Sequence, residues 1–411
     1  MLGNNTQLQV LKVKDFKHFI LGRFFYIAAL RMVFTAIGYM VYAITKAKFQ
    51  LGLIGLSEVI PAIAFALYAG VVVDKSNKKH LILKAEFLYL LSVLLLLLAL
   101  ALYQYKYITP NNLVLLFFAF MFVGGIIRAF NGPAQNAIIA QLVTKEQLIA
   151  ASTLSSITWL TAAVIGPLIS GILLYYCTTI VVFIVIAVFV MASIFFKLKI
   201  KSTEVLVQKE TKNWAAIKEG IKFVFNTKII LGALVLDLFA VLFGGSVALL
   251  PVYAKDILHV NELSLGWLNA AEYIGSFIIM LFLVMVPIKK SQGKKLLFAV
   301  AGFGLCTILF AISTSFWYSM FALIAIGLFD GVSVIVRGNI LQLYTPNEMR
   351  GRVSSVNSVF INSSNEIGQF ESGIAATLMG TVPSVIFGGC VTLVVVGLVC
   401  LYAPSVRKLQ Y

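Results

Sequence analysis

Five ionisable side chains stand where an apolar chain should carry none. Arg31, Asp237, Glu272, Asp330 and Glu366 each fall near the middle of a long hydrophobic block. A charge in hydrocarbon is costly, so such groups face a shared interior, pair with each other, or gain and lose a proton as their surroundings change. That is the chemistry of holding ions and moving protons. The patterns for breaking bonds are missing: there is no H-E-x-x-H, no G-x-S-x-G and no C-x-x-C, so an intramembrane enzyme is disfavoured. Cys177, Cys306, Cys390 and Cys400 lie in or beside apolar blocks, and His18, His80 and His259 at or between block ends. Neither a disulfide framework, nor a metal site, nor a cofactor is expected. Each charge also has a structural reading, as one half of an ion pair or as a helix-packing device.

The blocks that hold these charges account for most of the chain. Hydrophobic residues make up 61% and charged residues 12%, and the mean hydropathy is +0.99. A soluble domain carries about 25% charged residues, so this composition cannot cover a globular surface. A spanning helix needs about 20 mainly apolar residues, and a backbone in lipid must satisfy its polar groups within one helix. Twelve such spans are predicted, at 19–44, 52–73, 81–104, 112–138, 148–175, 177–196, 229–253, 263–287, 295–314, 317–343, 350–379 and 382–403.

The formal charge of +16 is spread between the blocks, mostly on alternate connections. It therefore reads as membrane topology and not as a nucleic-acid footprint. Lysines and arginines crowd one side, from Lys12, Lys14 and Lys17 through Lys75, Lys78 and Lys79 to Arg350, Arg352, Arg407 and Lys408. That side is expected to be cytoplasmic, with both termini on it. The longest polar interval predicts three parts: a six-span bundle over 1–196, a linker over 197–228 and a second bundle over 229–411. Inside the linker Trp214, Ile217, Ile221, Val224 and Phe225 recur at helical spacing, with Lys212, Lys218, Glu219 and Lys222 off the stripe. A helix lying at the membrane interface and a plain polar tether both fit, and the apolar period favours the helix.

Short motifs carry more. After span two stands Gly70-Val-Val-Val-Asp74-Lys75-Ser-Asn-Lys78-Lys79, and span four ends in Arg128-Ala-Phe-Asn131-Gly132-Pro133. Span five holds Gly166-Pro167-Leu-Ile-Ser170-Gly171, echoed in span eleven by Gly368 and Gly373. Small residues let helices approach closely, and a proline can kink one. The first motif resembles the loop signature of the major facilitator superfamily. The arginine motif and the glycine–proline motif are similar to two further signatures of that superfamily. Leu236-Asp237 through Gly244-Gly245, the run Pro346–Asn357 and Ser364-Asn365-Glu366 through Gly373 look like its bacterial exporter branch, which includes enterobactin-type siderophore exporters and, more distantly, macrolide efflux pumps. Three departures stand out. Ser170 takes the place of a glycine, Glu272 the place of a proline, and the loop 289–295 lacks the acid of its first-half counterpart.

The resemblance implies an all-α integral membrane protein with twelve transmembrane helices in two pseudo-symmetric six-helix bundles. It implies export of a small organic metabolite by alternating access with proton antiport, from the bacterial cytoplasmic (inner) membrane, by a chain expected to act as a monomer. The alternatives are broad drug efflux and, less favoured, a lysophospholipid flippase. Asp237, Glu272, Glu366, Asp330 and Arg128 are the candidates for proton coupling. Arg31, Asp237, Glu272, Asp330 and Asn365 are the candidates for the substrate cavity. Gly70, Asp74, Lys75, Lys78 and Lys79 would form a conformational latch, and Gly166, Pro167, Gly171, Gly368 and Gly373 a packing motif. In the superfamily fold spans three, six, nine and twelve touch lipid, and the five mid-span charges avoid all four. Glu86, near the end of span three, is expected to snorkel to the interface.

Overall fold

The computed structural model describes residues 9–201, 214–286, 288, 290–346 and 349–410, with no strand among them. The helices in chain order are α1 (Lys14–Thr45), α2 (Lys48–Lys75), α3 (Lys78–Gln104), α4 (Pro110–Leu142), α5 (Leu148–Tyr176) and α6 (Thr179–Leu198). They continue with α7 (Trp214–Asn226), α8 (Lys228–Gly244), α9 (Glu262–Met285), α10 (Gln292–Ile312), α11 (Phe316–Tyr344), α12 (Arg350–Met379) and α13 (Thr381–Tyr402). Among the described residues, eleven stretches are long and apolar enough to cross a membrane. The predicted eleventh span forms the 30-residue α12, which is richer in Ser, Asn and charge and is not among those eleven.

Local chemistry sets the helix ends. Asn77 Oδ1 accepts from the His80 N–H at 3.1 Å, Asn261 Oδ1 from the Ser264 N–H at 3.0 Å, and Thr109 Oγ1 from the Asn112 N–H ahead of a helix that begins at Pro110. These side chains satisfy amides that the first helical turn leaves open. Thr144 and Gln147 close a reciprocal capping box before α5. At Gly380 φ is +92°, a conformation open to glycine, and there α12 gives way to α13. The seventh predicted span, 229–253, is not one helix. α8 stops at the pair Gly244-Gly245, and a 3₁₀ turn, a short α turn at Leu250–Val252 and a π turn at Tyr253–Ile257 follow. Adjacent glycines and Pro251 explain the break.

Two compact units emerge: Met1–Lys46 with Ser57–Thr211, and Ala47–Leu56 with Lys212–Tyr411. In the first, α1 packs on α5 and α6, and α3 packs on α4 and α6. In the second, α8 packs on α12 and α13, and α10 packs on α11 and α13. The partners recur in the same order, as a parallel repeat requires. The start of α2 groups with the second unit because Gly52 there lies against Gly373 and Phe370 of α12. The outward rows are apolar: Leu91, Leu95 and Leu98 on α3, Val188 and Phe195 on α6, Leu305 and Leu309 on α10, Val394 and Leu398 on α13 are all exposed. A helix with apolar residues on both its packed and its open faces suits lipid.

Candidate functional site: buried charges inside each unit

In the second unit Asp237 of α8 forms an ion pair with Arg337 of α11, and each side chain is 7% exposed. Arg337 Nε also donates to the Ser333 carbonyl at 3.4 Å. Arg337 lies nearer a span end, and nothing in its sequence surroundings marks it as the partner. Glu366, on α12, is 5% exposed. Its helix crosses α8 closely: a Cβ on Gly368 would come within 2.8 Å of the Val241 carbonyl oxygen. Glu272 on α9 and Asp330 on α11 are half-buried. Those two helices touch backbone to backbone, because a Cβ on Gly327 would overlap the Glu272 carbonyl, and Ser276 Oγ donates to the Gly327 carbonyl at 3.1 Å. The four acids thus stand on α8, α9, α11 and α12. Asn365 is exposed and its amide donates to Ile361 O of its own helix at 2.8 Å.

In the first unit Arg128 of α4 meets Glu58 of α2 at 2.8 Å. The helices cross at Gly125, where a Cβ would collide with the Glu58 carbonyl. Arg31 on α1 is half-buried, with its guanidinium 4.9 Å from the ring centre of Trp159 on α5, a cation–π contact. The packing motif lies beside it: Gly166, Pro167 and Gly171 are buried, and a Cβ on Gly166 would come within 2.6 Å of the Ala28 carbonyl oxygen. Ser170 uses its hydroxyl to donate to the Met32 carbonyl at 3.3 Å, a cross-helix bond that the usual glycine could not make.

A second charged cluster went unpredicted. Glu86 does not snorkel; it is fully buried against Lys197 of α6, which is 1% exposed. Ser193 Oγ donates to Glu86 Oε2 at 2.8 Å and Gln135 Nε2 to Glu86 Oε1 at 3.4 Å, while Arg23 Nη1 donates to Gln135 Oε1 at 3.1 Å. Lys197 Nζ sits 5.2 Å from the centre of the Tyr26 ring. The cluster therefore joins α1, α3, α4 and α6. Gln135 stands the same sequence distance before Gly166 as Arg337 does before Gly368. Each joins the fourth helix of its unit to the first.

Of the latch residues, the Asp74 side chain lies outside the described residues. Gly70 is half-buried, and Lys75 is exposed. Lys78 is buried and donates to the Val73 and Ser76 carbonyls at the end of α2. Lys79 donates to the Leu198 and Ile200 carbonyls at the end of α6. Cations there complement the negative ends of helices. Of the linker stripe, Trp214 and Ile217 have side chains outside the described residues. Val224 is buried, Ile221 and Phe225 are exposed, and Arg352 Nη1 donates to Glu219 Oε2 at 2.6 Å. Among the described residues no group of three or more His, Cys, Asp or Glu converges as a metal would need.

Comparison with known proteins places this arrangement. The profile of the Major Facilitator Superfamily matches residues 19–368 and 242–410. The Bacillus subtilis MFS-type transporters YfmI and YjbB are 25% identical over 275 residues and 26% identical over 278 residues. Those alignments take in 62% and 66% of this chain and 66% and 64% of the relatives, just under two thirds of their length. Among solved structures, the D-xylose–proton symporter superposes with a TM-score of 0.76 at 11% identity, covering 97% of this chain and 99% of that one. A mutant of the nucleoside transporter NupG gives 0.70 at 14% identity, covering 95% and 99%. A POT family transporter bound to 5-aminolevulinic acid gives 0.72 at 12%, covering 96% of each. At those identities the likeness is one of fold, and it agrees with the profile: this chain belongs to the major facilitator superfamily.

Proposed function

We propose that the chain is a secondary exporter that moves a small organic metabolite of siderophore type out of the bacterial cytoplasm in exchange for protons. Its parts would be the bundles 1–196 and 229–411 joined by the linker 197–228. Both termini would lie on the cytoplasmic side of the inner membrane, and the chain would act as a monomer. The observation that carries the reading is the Asp237–Arg337 pair, closed off from solvent inside a membrane-spanning unit. A carboxylate that faces an arginine stays ionised, and one that loses its partner in apolar surroundings takes up a proton. A pair that opens and closes during alternating access would thereby bind and release one proton per cycle. Glu272, Asp330 and Glu366, on adjoining helices, would pass the proton on, and Arg128 with Glu58 would assist in the other unit. Arg31 beside Trp159 would hold an anionic or aromatic group of the substrate, with Asn365 a further contact. Gly70, Asp74 and Lys75 would latch one conformation.

The motif at Gly166–Gly171, which resembles the antiporter motif of exporters, supports the outward direction by resemblance, and the motif at Arg128 resembles one associated with proton transfer. Comparative metabolite profiling of medium and cytosol, with and without the protein, tests the reading. Loss of an iron-free siderophore-like compound from the medium, with its build-up inside, is expected on deletion. Unchanged metabolites with a gained drug sensitivity would replace it with broad drug efflux. Movement of labelled lysophospholipid alone in vesicles would replace it with a flippase.

A further inference from the structure

The C-terminal end of the second unit is pinned against the helices. After α13, Pro404–Arg407 form one helical turn. Val406, fully buried, fills the gap left by two glycines. A Cβ on Gly232 of α8 would come within 2.6 Å of Val406 Cγ2, and one on Gly293 of α10 would overlap the Val406 carbonyl. Leu409 is buried as well, and its carbonyl accepts from the Gly293 N–H at 3.2 Å. With those two side chains inside, Arg407, Lys408 and Gln410 face out.

They face a recess. Ser291, Lys294, Arg407, Lys408 and Gln410 line a hollow of about 510 Å³. Among the described residues of the lining, three of the five are cations and none is an acid. Like charges gathered around a concave surface raise its potential and draw in an anion. Ser291 precedes the first turn of α10 and makes no side-chain cap bond there. The positive end of that helix dipole adds to the same field. Arginine and lysine together with serine and glutamine donors suit a phosphate group, whose oxygens accept several hydrogen bonds at once.

Exposed apolar residues on the two helices that lead to the recess favour one source of that phosphate. Phe298 stands one turn after Lys294 on the same face of α10 and is exposed, and Leu401 and Tyr402 at the end of α13 are exposed too. Exposed apolar residues so near in the chain do nothing for a free phosphate. They suit a phospholipid, whose phosphate would enter the recess while its chains lie against apolar surface such as Phe298 and Leu401. We propose that this recess at the end of the second unit binds the phosphate of an acidic phospholipid headgroup.

The test uses the full-length protein carried through native mass spectrometry after exchange into phosphatidylglycerol or phosphatidylcholine. The wild type is expected to retain phosphatidylglycerol about tenfold or more over phosphatidylcholine, since each basic residue near an anionic surface contributes appreciably. A variant with Lys294→Gln, Arg407→Gln and Lys408→Gln should fall to within about twofold. A control with Lys12→Gln, Lys14→Gln and Lys17→Gln removes the same charge elsewhere and should keep the preference. An unchanged preference in the recess variant, or an equal loss in the control, overturns the proposal. So does displacement of the lipid by millimolar inorganic phosphate, which would assign the recess to a soluble anion. Should the triple variant not survive purification, Arg407→Gln alone, an exposed change, decides on the same ratio with an expected drop of about threefold or more.

Discussion

Lys197, in the last turn of α6, directs its ammonium at the Glu86 carboxylate of α3, and the two side chains are 1% and 0% exposed. Removing one partner from such a pair strands the other charge, at a cost of about 3–5 kcal/mol, whereas replacing both with apolar or neutral groups of similar size is often tolerated. Lys197→Met should therefore sharply lower the thermal stability of the purified protein. Lys197→Met with Glu86→Gln should restore most of it. If the double variant is as unstable as the single, the pair is not what holds α3 to α6.

The glycines at helix crossings divide into two groups that mutation should separate. A Cβ on Gly166 meets backbone, while one on Gly132 meets nothing within 4 Å. Gly166→Ala is expected to destabilise by about 1–3 kcal/mol through forced separation of α1 and α5. Gly132→Ala should be neutral or stabilising by up to about 1 kcal/mol, since alanine is the better helix former. Melting of the two variants side by side in detergent checks the contrast.

Lys79 spends its ammonium on the carbonyl end of α6. Lys79→Gln should cost about 0.3–1 kcal/mol of stability from the lost helix-end charge. Transport should persist in proportion to folded protein. A complete loss of flux with unchanged melting would assign Lys79 to the latch and not to the cap.

Arg128 and Glu58 touch at 2.8 Å across α4 and α2. A double-mutant cycle with Arg128→Gln and Glu58→Gln should show a coupling of about 0.5–3 kcal/mol, as contacting residues do. Additive effects would mean that the contact carries nothing.

Much of this was legible from residue order alone. Apolar length predicted the helices, because a bilayer demands that length, and the glycines of spans five and eleven predicted the close crossings. Asp237 and Glu366 were expected inside and are buried there. The partners were harder to read. Lys197 sits at the end of an apolar block beside a basic interval, where an ordinary topology-setting lysine would also sit. Only the fold shows that α6 turns this residue inward. Arg337 was obscured in the same way by its distance from mid-span. The break in α8 lies at Gly244-Gly245, inside a block whose hydropathy continues unbroken to residue 253, so length and composition could not reveal it.

Asp237 is the residue proposed to couple a proton to export. Cells carrying the wild type or Asp237→Asn, matched for protein in the membrane, can be compared for the exported metabolite in the medium with the pH gradient intact and collapsed. The wild type should export strongly and lose most of that export when the gradient collapses, while Asp237→Asn should export little in either condition. Equal gradient-dependent export by both would contradict the account.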